Sequence, residues 1–386
     1  MKLLERTERW TTCAAVLAFA TIACGQPEQW LEYHSSREGR GYRWLELTTN
    51  PPPNVALPKL NAQPYFARWT TPLDPAGGRW LCFDRTRKAG PCDRLFFDRS
   101  GNGRLDDDPP VEAARRDEYA AHFDPQRVVF KGEDGPVTYH LLLRFMKYDD
   151  NTTSLLAESG GWYEGNVNIG GAKRKVQLID GNVNGAFNDL AVNPSDADRL
   201  VVEGDKGGDR YLGRLLELDG QLFQVEVARD GAFIKVRKAE NVVLGQVRVP
   251  EAISELTAVG DSGHFIRKPA KGEFTLPVGK YRVQGWSINR NDDKGVGWQL
   301  SGFNFNDFAS FEATTAAPAR LDVGEPVRTA LQASESKGNV AFSLRLQGRL
   351  GETIEIQRAG ERPRAPQLLL ASRDGSFSVT NTFEYG

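Results

Sequence analysis

From Phe66 onward the apolar side chains recur at alternate positions in short runs, and Asp-Gly, Gly-Gly and Gly-Pro pairs break the runs. A period of two sends successive side chains to opposite faces of an extended strand, so this pattern commits most of the chain to half-buried β-strands joined by turns. Arg79-Trp80-Leu81-Cys82-Phe83, Asp93-Arg94-Leu95-Phe96-Phe97 and residues 127–130 and 138–145 belong to a first series. A second series covers 161–169, 174–179, 199–203, 210–218, 221–228 and 232–237. Asp219-Gly220 and Asp230-Gly231 punctuate it, and both suit a type I′ hairpin turn, whose two central residues need positive φ. The expectation over residues 65–240 is an antiparallel meander or sandwich. Residues 111–123 alone read as a helix.

Flanking segments differ in texture. Residues 24–64, with Asn50-Pro51-Pro52-Pro53-Asn54, show no sustained period and read as an irregular leader. From about Asn241 strand patterns resume at 242–249, 272–276, 279–286, 341–346, 353–357 and 367–371, with a last one after Asp374-Gly375, at the spacing of a sandwich. The run Leu276-Pro277-Val278-Gly279-Lys280-Tyr281-Arg282-Val283 resembles a strand pair of small immunoglobulin-like or carboxypeptidase-regulatory-like modules. That resemblance implies an immunoglobulin-like β-sandwich over 241–386. The fold class expected is therefore mainly β, in domains that 386 residues can readily supply with cores.

At the N-terminus Lys2, Arg6 and Arg9 precede an apolar run from Cys13 to Ala23 that is too short to span a bilayer, the layout of a signal peptide over residues 1–23. Ile22-Ala23-Cys24-Gly25 resembles a lipoprotein cleavage box from which Thr21 departs, so lipidation of Cys24 and simple secretion both stand open, with a buried N-terminal helix as the other alternative. No later apolar run is long enough to cross a membrane. The 49 Lys and Arg nearly cancel the 51 Asp and Glu, a net charge of -2 that argues against a nucleic-acid partner. Cys82 and Cys92 flank a polar span with a Gly90-Pro91 turn signal, which predicts a disulfide across a hairpin in an oxidising compartment; two free thiols are the alternative.

Two segments carry chemistry. Asp98-Arg99-Ser100-Gly101-Asn102-Gly103-Arg104-Leu105-Asp106-Asp107-Asp108 sets oxygen-bearing side chains at loop positions one, three, five and nine, with glycine at six. A hard cation needs such spacing: alternate side chains turn inward, a carbonyl is supplied at position seven, and glycine permits the sharp bend. The ligands expected are Asp98, Ser100, Asn102, the Arg104 carbonyl and Asp106. A second copy runs Asp180-Gly181-Asn182-Val183-Asn184-Gly185-Ala186-Phe187-Asn188-Asp189, with Asp180, Asn182, Asn184, the Ala186 carbonyl and Asn188 or Asp189 in those roles.

Both resemble EF-hand and dockerin-type calcium loops, which implies calcium as the bound ion. Pro109 and Ala191 stand where that family has a bidentate glutamate, leaving closure of the shell to Asp107 or Asp108 in the first loop and to Asp196 or Asp198 in the second. The second loop, with asparagine at positions three and five, is expected to be the weaker site unless Asp198 folds back. The alternative for each is a polar turn whose Asp and Asn bond their own backbone. Strand-like flanks favour a structural clip over a sensor that opens a groove.

Signals of catalysis are sparse. His34, His122, His140 and His264 lie far apart, and Ser154, Ser159 and Ser301 lack a nucleophile elbow. The reading is a non-catalytic exported protein of the periplasm, outer membrane or cell surface. A secreted module that binds a glycan or protein, with Trp162 and Tyr163 or Trp286 and Trp298 as a stacking face, is the rival, and a hydrolase the weaker one.

Overall fold

The computed structural model describes residues 27–385 apart from 62, 88, 133–134, 150–151, 191–192, 306–308 and 337. The signal-peptide reading and Cys24 lie outside the described residues.

The expected strands form, and antiparallel pairing dominates. Pro136–Lys147 sits at the centre of a five-stranded sheet between Ala120–Lys131 and Thr153–Ser159. Along Ala120–Lys131, Val128 and Phe130 are buried while Val129 between them is exposed, the two-residue pleat read from the sequence. A second five-stranded sheet centres on Ala172–Ile179 between Gly161–Ile169 and Arg199–Val202. Four-stranded sheets built around Gly78–Asp84 and Gln221–Val227 complete this part. Their inward faces share one core, in which Trp69, Tyr139, Phe145, Phe187, Leu81 and Leu178 are almost fully buried.

Residues beyond 241 pack a separate core. A three-stranded sheet of Leu244–Arg248, Glu273–Pro277 and Ala319–Arg320 contributes Val247, Phe274 and Leu276, and an eight-stranded sheet contributes Leu256, Phe265, Tyr281, Val283 and Ile288. The run 276–283 is not a hairpin. Glu273–Pro277 pairs with Leu244–Arg248, whereas Gly279–Asn291 pairs with Glu255–Gly260 and Gly297–Phe303, so the chain crosses between layers at Val278. Main-chain bonds join the two parts: the Arg214 amide donates to Asp261 O at 3.0 Å and the Leu215 amide to Ser262 O at 2.9 Å.

Several expectations fail for physical reasons. Residues 24–64 are not merely irregular: Gln29–Trp30, Glu32–Ser35 and Tyr42–Leu45 each add to a sheet, and Leu31 and Leu45 enter the core. Residues 111–123 are strand, not helix. Asp117 Oδ1 accepts the amides of Tyr119 and Ala120 at 2.9 and 2.8 Å, turning the chain so that Arg115–Arg116 pairs with Ala121 and His122. Good helix formers yield here to a tight turn and to sheet pairing.

Of the two Asp-Gly turns, Asp219 and Gly220 take φ of 50° and 74° as type I′ requires. At Asp230-Gly231 only the glycine is positive, at 82°, and its amide bonds Ala228 O at 2.9 Å, giving a longer hairpin loop.

Cys82 and Cys92 are buried free thiols, and the expected disulfide is absent. Cys82 is registered opposite Phe96, inside the strand Arg94–Phe97 that Cys92 precedes, and it packs with Phe66, Phe96 and Leu105 on one face of its sheet. Cys92 belongs to the main core on the other face. The two side chains thus enter different hydrophobic clusters.

Candidate metal centre

Each candidate loop leaves the end of a strand, Arg94–Phe97 in the first case and Ala172–Ile179 in the second. The leading aspartates, Asp98 at 2% exposure and Asp180 at 0%, are buried, and main-chain amides do most of the work of holding them. Asp98 accepts the amides of Gly101 at 2.7 Å, Asn102 at 3.1 Å and Gly103 at 3.0 Å. Asp180 accepts those of Asn184 at 3.3 Å and Gly185 at 2.7 Å, together with that of Val183. Loop positions four, five and six thus serve the carboxylate in both copies.

The match extends further. Positions four and six have positive φ in each loop: Gly101 at 75° and Gly103 at 76°, Val183 at 55° and Gly185 at 89°. The position-seven amides, of Arg104 and Ala186, donate to Oδ1 of Asn102 and Asn184 at 2.9 and 2.7 Å. Those asparagines donate through Nδ2 to Asp107 and Asp189, 2.7 Å in both cases. At position eight Leu105 and Phe187 plug into cores. Two segments more than eighty residues apart in sequence adopt one local fold.

Closure comes from later aspartates. Asp108 Oδ2 accepts the position-two amide of Arg99 at 2.9 Å, and Asp198 Oδ1 accepts the position-two amide of Gly181 at 3.1 Å while its Oδ2 accepts that of Asp189 at 2.7 Å. Position nine does not turn inward: Asp106 is exposed and pairs with Arg104 at 2.8 Å, and Asn188 is exposed. Ser100 approaches Asp98 at 3.4 Å, and Asn182 bonds Asp189 at 3.1 Å and Asp196 O at 3.0 Å.

Charge separates the two copies. The first loop brings its own cations: Arg104 lies 3.7 Å from Asp107, Arg99 4.0 Å from Asp108, and the buried Arg79, paired with Asp74, donates to Arg99 O at 2.9 Å. A Cβ on Gly101 would run into that Arg79 guanidinium.

In the second loop Asp180 and Asp198 are both wholly buried. Burial pushes the Asp180 carboxyl up to about 6, against the hydrogen bonds from Gly185, Tyr139 and the neighbouring amides. Burial first, and then the charges of Asp180 and Asp189, push Asp198 well above the carboxylate range. The Tyr139 hydroxyl donates to Asp180 Oδ2 at 2.8 Å from within the aromatic core, where Tyr139 stacks on Trp69 at 5.4 Å, and Trp69 Nε1 bonds Val183 O at 2.7 Å. No local motif points to this tyrosine, since the contact joins residues far apart along the chain.

Among the described residues no three His, Cys, Asp or Glu side chains are gathered closely enough to form a metal cage on their own. The oxygen set that can meet a cation at the second loop is mixed, with the Asp180, Asp189 and Asp198 carboxylates beside the Asn182 and Asn184 amides. All-oxygen donors of this kind suit a hard divalent ion.

Elsewhere the structure disperses other candidates. Tyr163 and Trp286 are buried in cores, and Trp286 Nε1 donates to the buried Glu352 at 2.9 Å, so neither belongs to an exposed stacking face. The histidines hold separate structural contacts: His34 stacks on Trp162, His122 meets Arg115, His140 meets the Tyr33 hydroxyl and His264 accepts the Tyr211 amide. Among the described residues no helix is long and apolar enough to cross a membrane. Comparison with known proteins finds no matching family model, no matching curated protein and no matching solved structure.

Proposed function

We propose that this chain is an exported, non-catalytic envelope or surface protein whose β-rich scaffold is clipped by calcium, with the second loop as the principal site. The observation that carries this reading is the burial of Asp180 and Asp198 within reach of Asp189, an assembly whose strongest mutual charges are repulsive. Burying like charges without a counter-charge is costly, and a divalent cation among them removes the cost. The first loop, with Arg79, Arg99 and Arg104 around it, is supplied with positive charge by the protein and is read as a weaker site or an arginine-filled copy. Because the loop packs on the shared core through Val183 and Phe187, an ion there stabilises the whole domain and not a surface appendage.

Terbium luminescence tests the assignment. Tyr139 donates to the proposed ligand Asp180 and stacks on Trp69, so terbium bound at the second loop is sensitised through these rings and calcium displaces it. Asp180→Asn removes the signal, while Asp98→Asn leaves most of it. Unsensitised terbium, or a signal untouched by Asp180→Asn, would sink the assignment.

A further inference from the structure

The eight-stranded sheet ends differently on its two sides. On one side Gly263–Arg267 is covered by the N-terminal part: the Leu215 amide donates to Ser262 O, Arg210 to His264 O at 3.0 Å and the Tyr211 amide to the His264 ring at 3.3 Å. On the other side Arg328–Ser336 is bare, and it is 9 residues long. Every other terminal strand of the described sheets is shorter, the longest being Tyr65–Thr70 with 6 residues. Folded proteins blunt an edge with a proline, a bulge, charge or a cover, because its free amides and carbonyls template pairing with another chain. Arg328–Ser336 holds no proline, and its register with Asn339–Gln347 runs from Arg328↔Gln347 to Ser336↔Asn339 without a shift. Charge is confined to its two ends, at Arg328 and Glu335.

The hairpin also stands apart. Asn339–Gln347 meets the rest of the sheet at one register pair, Gln347↔Thr353, and two strands alone are marginal in water. Strand alternation gives it one apolar face, with Leu331, Ala333, Val340, Phe342, Leu344 and Leu346, of which Leu331 and Val340 are 52% and 55% exposed. Ser336↔Asn339 closes a two-residue loop and is therefore a hydrogen-bonded pair, so the main-chain groups of Gln332 and Ser334 also turn toward Asn339–Gln347. Those of Thr329, Leu331, Ala333 and Glu335 turn outward, and no other element among the described residues bonds them.

We propose that Arg328–Ser336 pairs antiparallel with the same strand of a second copy of this chain, about a two-fold axis at Gln332. The four outward residues on each strand then exchange about eight main-chain hydrogen bonds. Such pairing keeps each apolar face beside its equivalent, and it sets Leu331 opposite Ala333 of the second copy and Thr329 opposite Glu335. Large meets small, a hydroxyl meets a carboxylate, and no like charges oppose. A slide of two residues either way would set Leu331 against itself or against Glu335. Because the far edge of the sheet is covered, a copy cannot add there and grow a fibre, so the contact closes as a dimer.

Sedimentation velocity on the full chain should show a concentration-dependent dimer with a dissociation constant on the order of 10 µM, the weak end expected of an edge-to-edge contact. Ala333→Pro removes an outward amide and leaves the hairpin ladder whole. It should weaken the dimer about thirtyfold, two hydrogen bonds being lost by symmetry, with the melting temperature unchanged. Crosslinking decides the matter if that variant folds poorly. Gln332 meets its own copy as a non-hydrogen-bonded pair, about 4.5 Å apart at Cα and within disulfide reach. Gln332→Cys should therefore oxidise to a covalent dimer, whereas Glu335→Cys, roughly 20 Å from its equivalent, should not. The native chain treated alike supplies the background, since Cys82 and Cys92 are buried. A chain that stays monomeric about tenfold above the expected constant, undiminished affinity in Ala333→Pro, or Glu335→Cys crosslinking as readily as Gln332→Cys would each overturn the proposal.

Discussion

Asp180 and Asp198 occupy positions where water cannot solvate a charge, and the consequences run opposite to those of an ordinary surface carboxylate. A folded-state pKa raised above the unfolded value means that the native chain binds the proton more tightly. Without a cation, the contribution of these two carboxyls to stability is therefore greatest below the ordinary carboxylate range and falls as pH rises through about 6, the value to which Asp180 is displaced. The lowered carboxyls of Asp93, Glu164 and Asp205 act in the opposite sense. Calcium must bind the ionised carboxylates, so its stabilisation should vanish below that window and grow above it. Chemical denaturation from pH 4 to pH 8, with calcium and with chelator, checks both slopes. At the same scale, burial pushes the thiols of Cys82 and Cys92 up to about 12. Both should resist a thiol reagent until the chain unfolds, and reductant should leave the melting temperature unchanged. Rapid labelling of the native protein would contradict this.

At the scale of the loop, the backbone imposes its own demand. Gly185 has φ of 89° and its missing Cβ would stand 3.1 Å from Thr71 Oγ1, whereas Gly103, at 76°, faces open space. Replacing Gly103 with alanine should cost about 1 kcal/mol and Gly185 with alanine about 2 kcal/mol, since only the second adds a clash to the left-handed backbone. Urea unfolding would rank them. These loops were legible in the sequence because their oxygen and glycine spacing is local. Strands with a sustained period of two were legible for the same reason.

Gln29–Trp30, Glu32–Ser35 and Tyr42–Leu45 were not, because strands of two and four residues have no period to read and gain their pairing from partners over a hundred residues away. The roles within the loops were only partly readable. Position ten, not position nine, meets the asparagine, and it took the folded chain to bring Asp198 onto Gly181 and to fill the first loop's surroundings with arginine. With Asp198 folded back, the condition under which the second loop was not expected to be the weaker site is met.

At the scale of the whole molecule, the early strands are structural members of three sheets. Deleting residues 26–47 should abolish cooperative unfolding, because Leu31 and Leu45 leave the core and three strand edges lose their partners. A true leader could be removed without effect, and a truncated chain that melts like the full one would contradict the pairing.

The proposed ion would act at this scale too, since Val183 and Phe187 of the second loop enter the shared core. The most direct measurement is the thermal melt of the full chain at neutral pH in calcium and in chelator, for the native sequence and for Asp180→Asn and Asp198→Asn. The account predicts a calcium-dependent rise in Tm for the native chain that both variants lose. A Tm indifferent to calcium, or a rise that survives both substitutions, would contradict it.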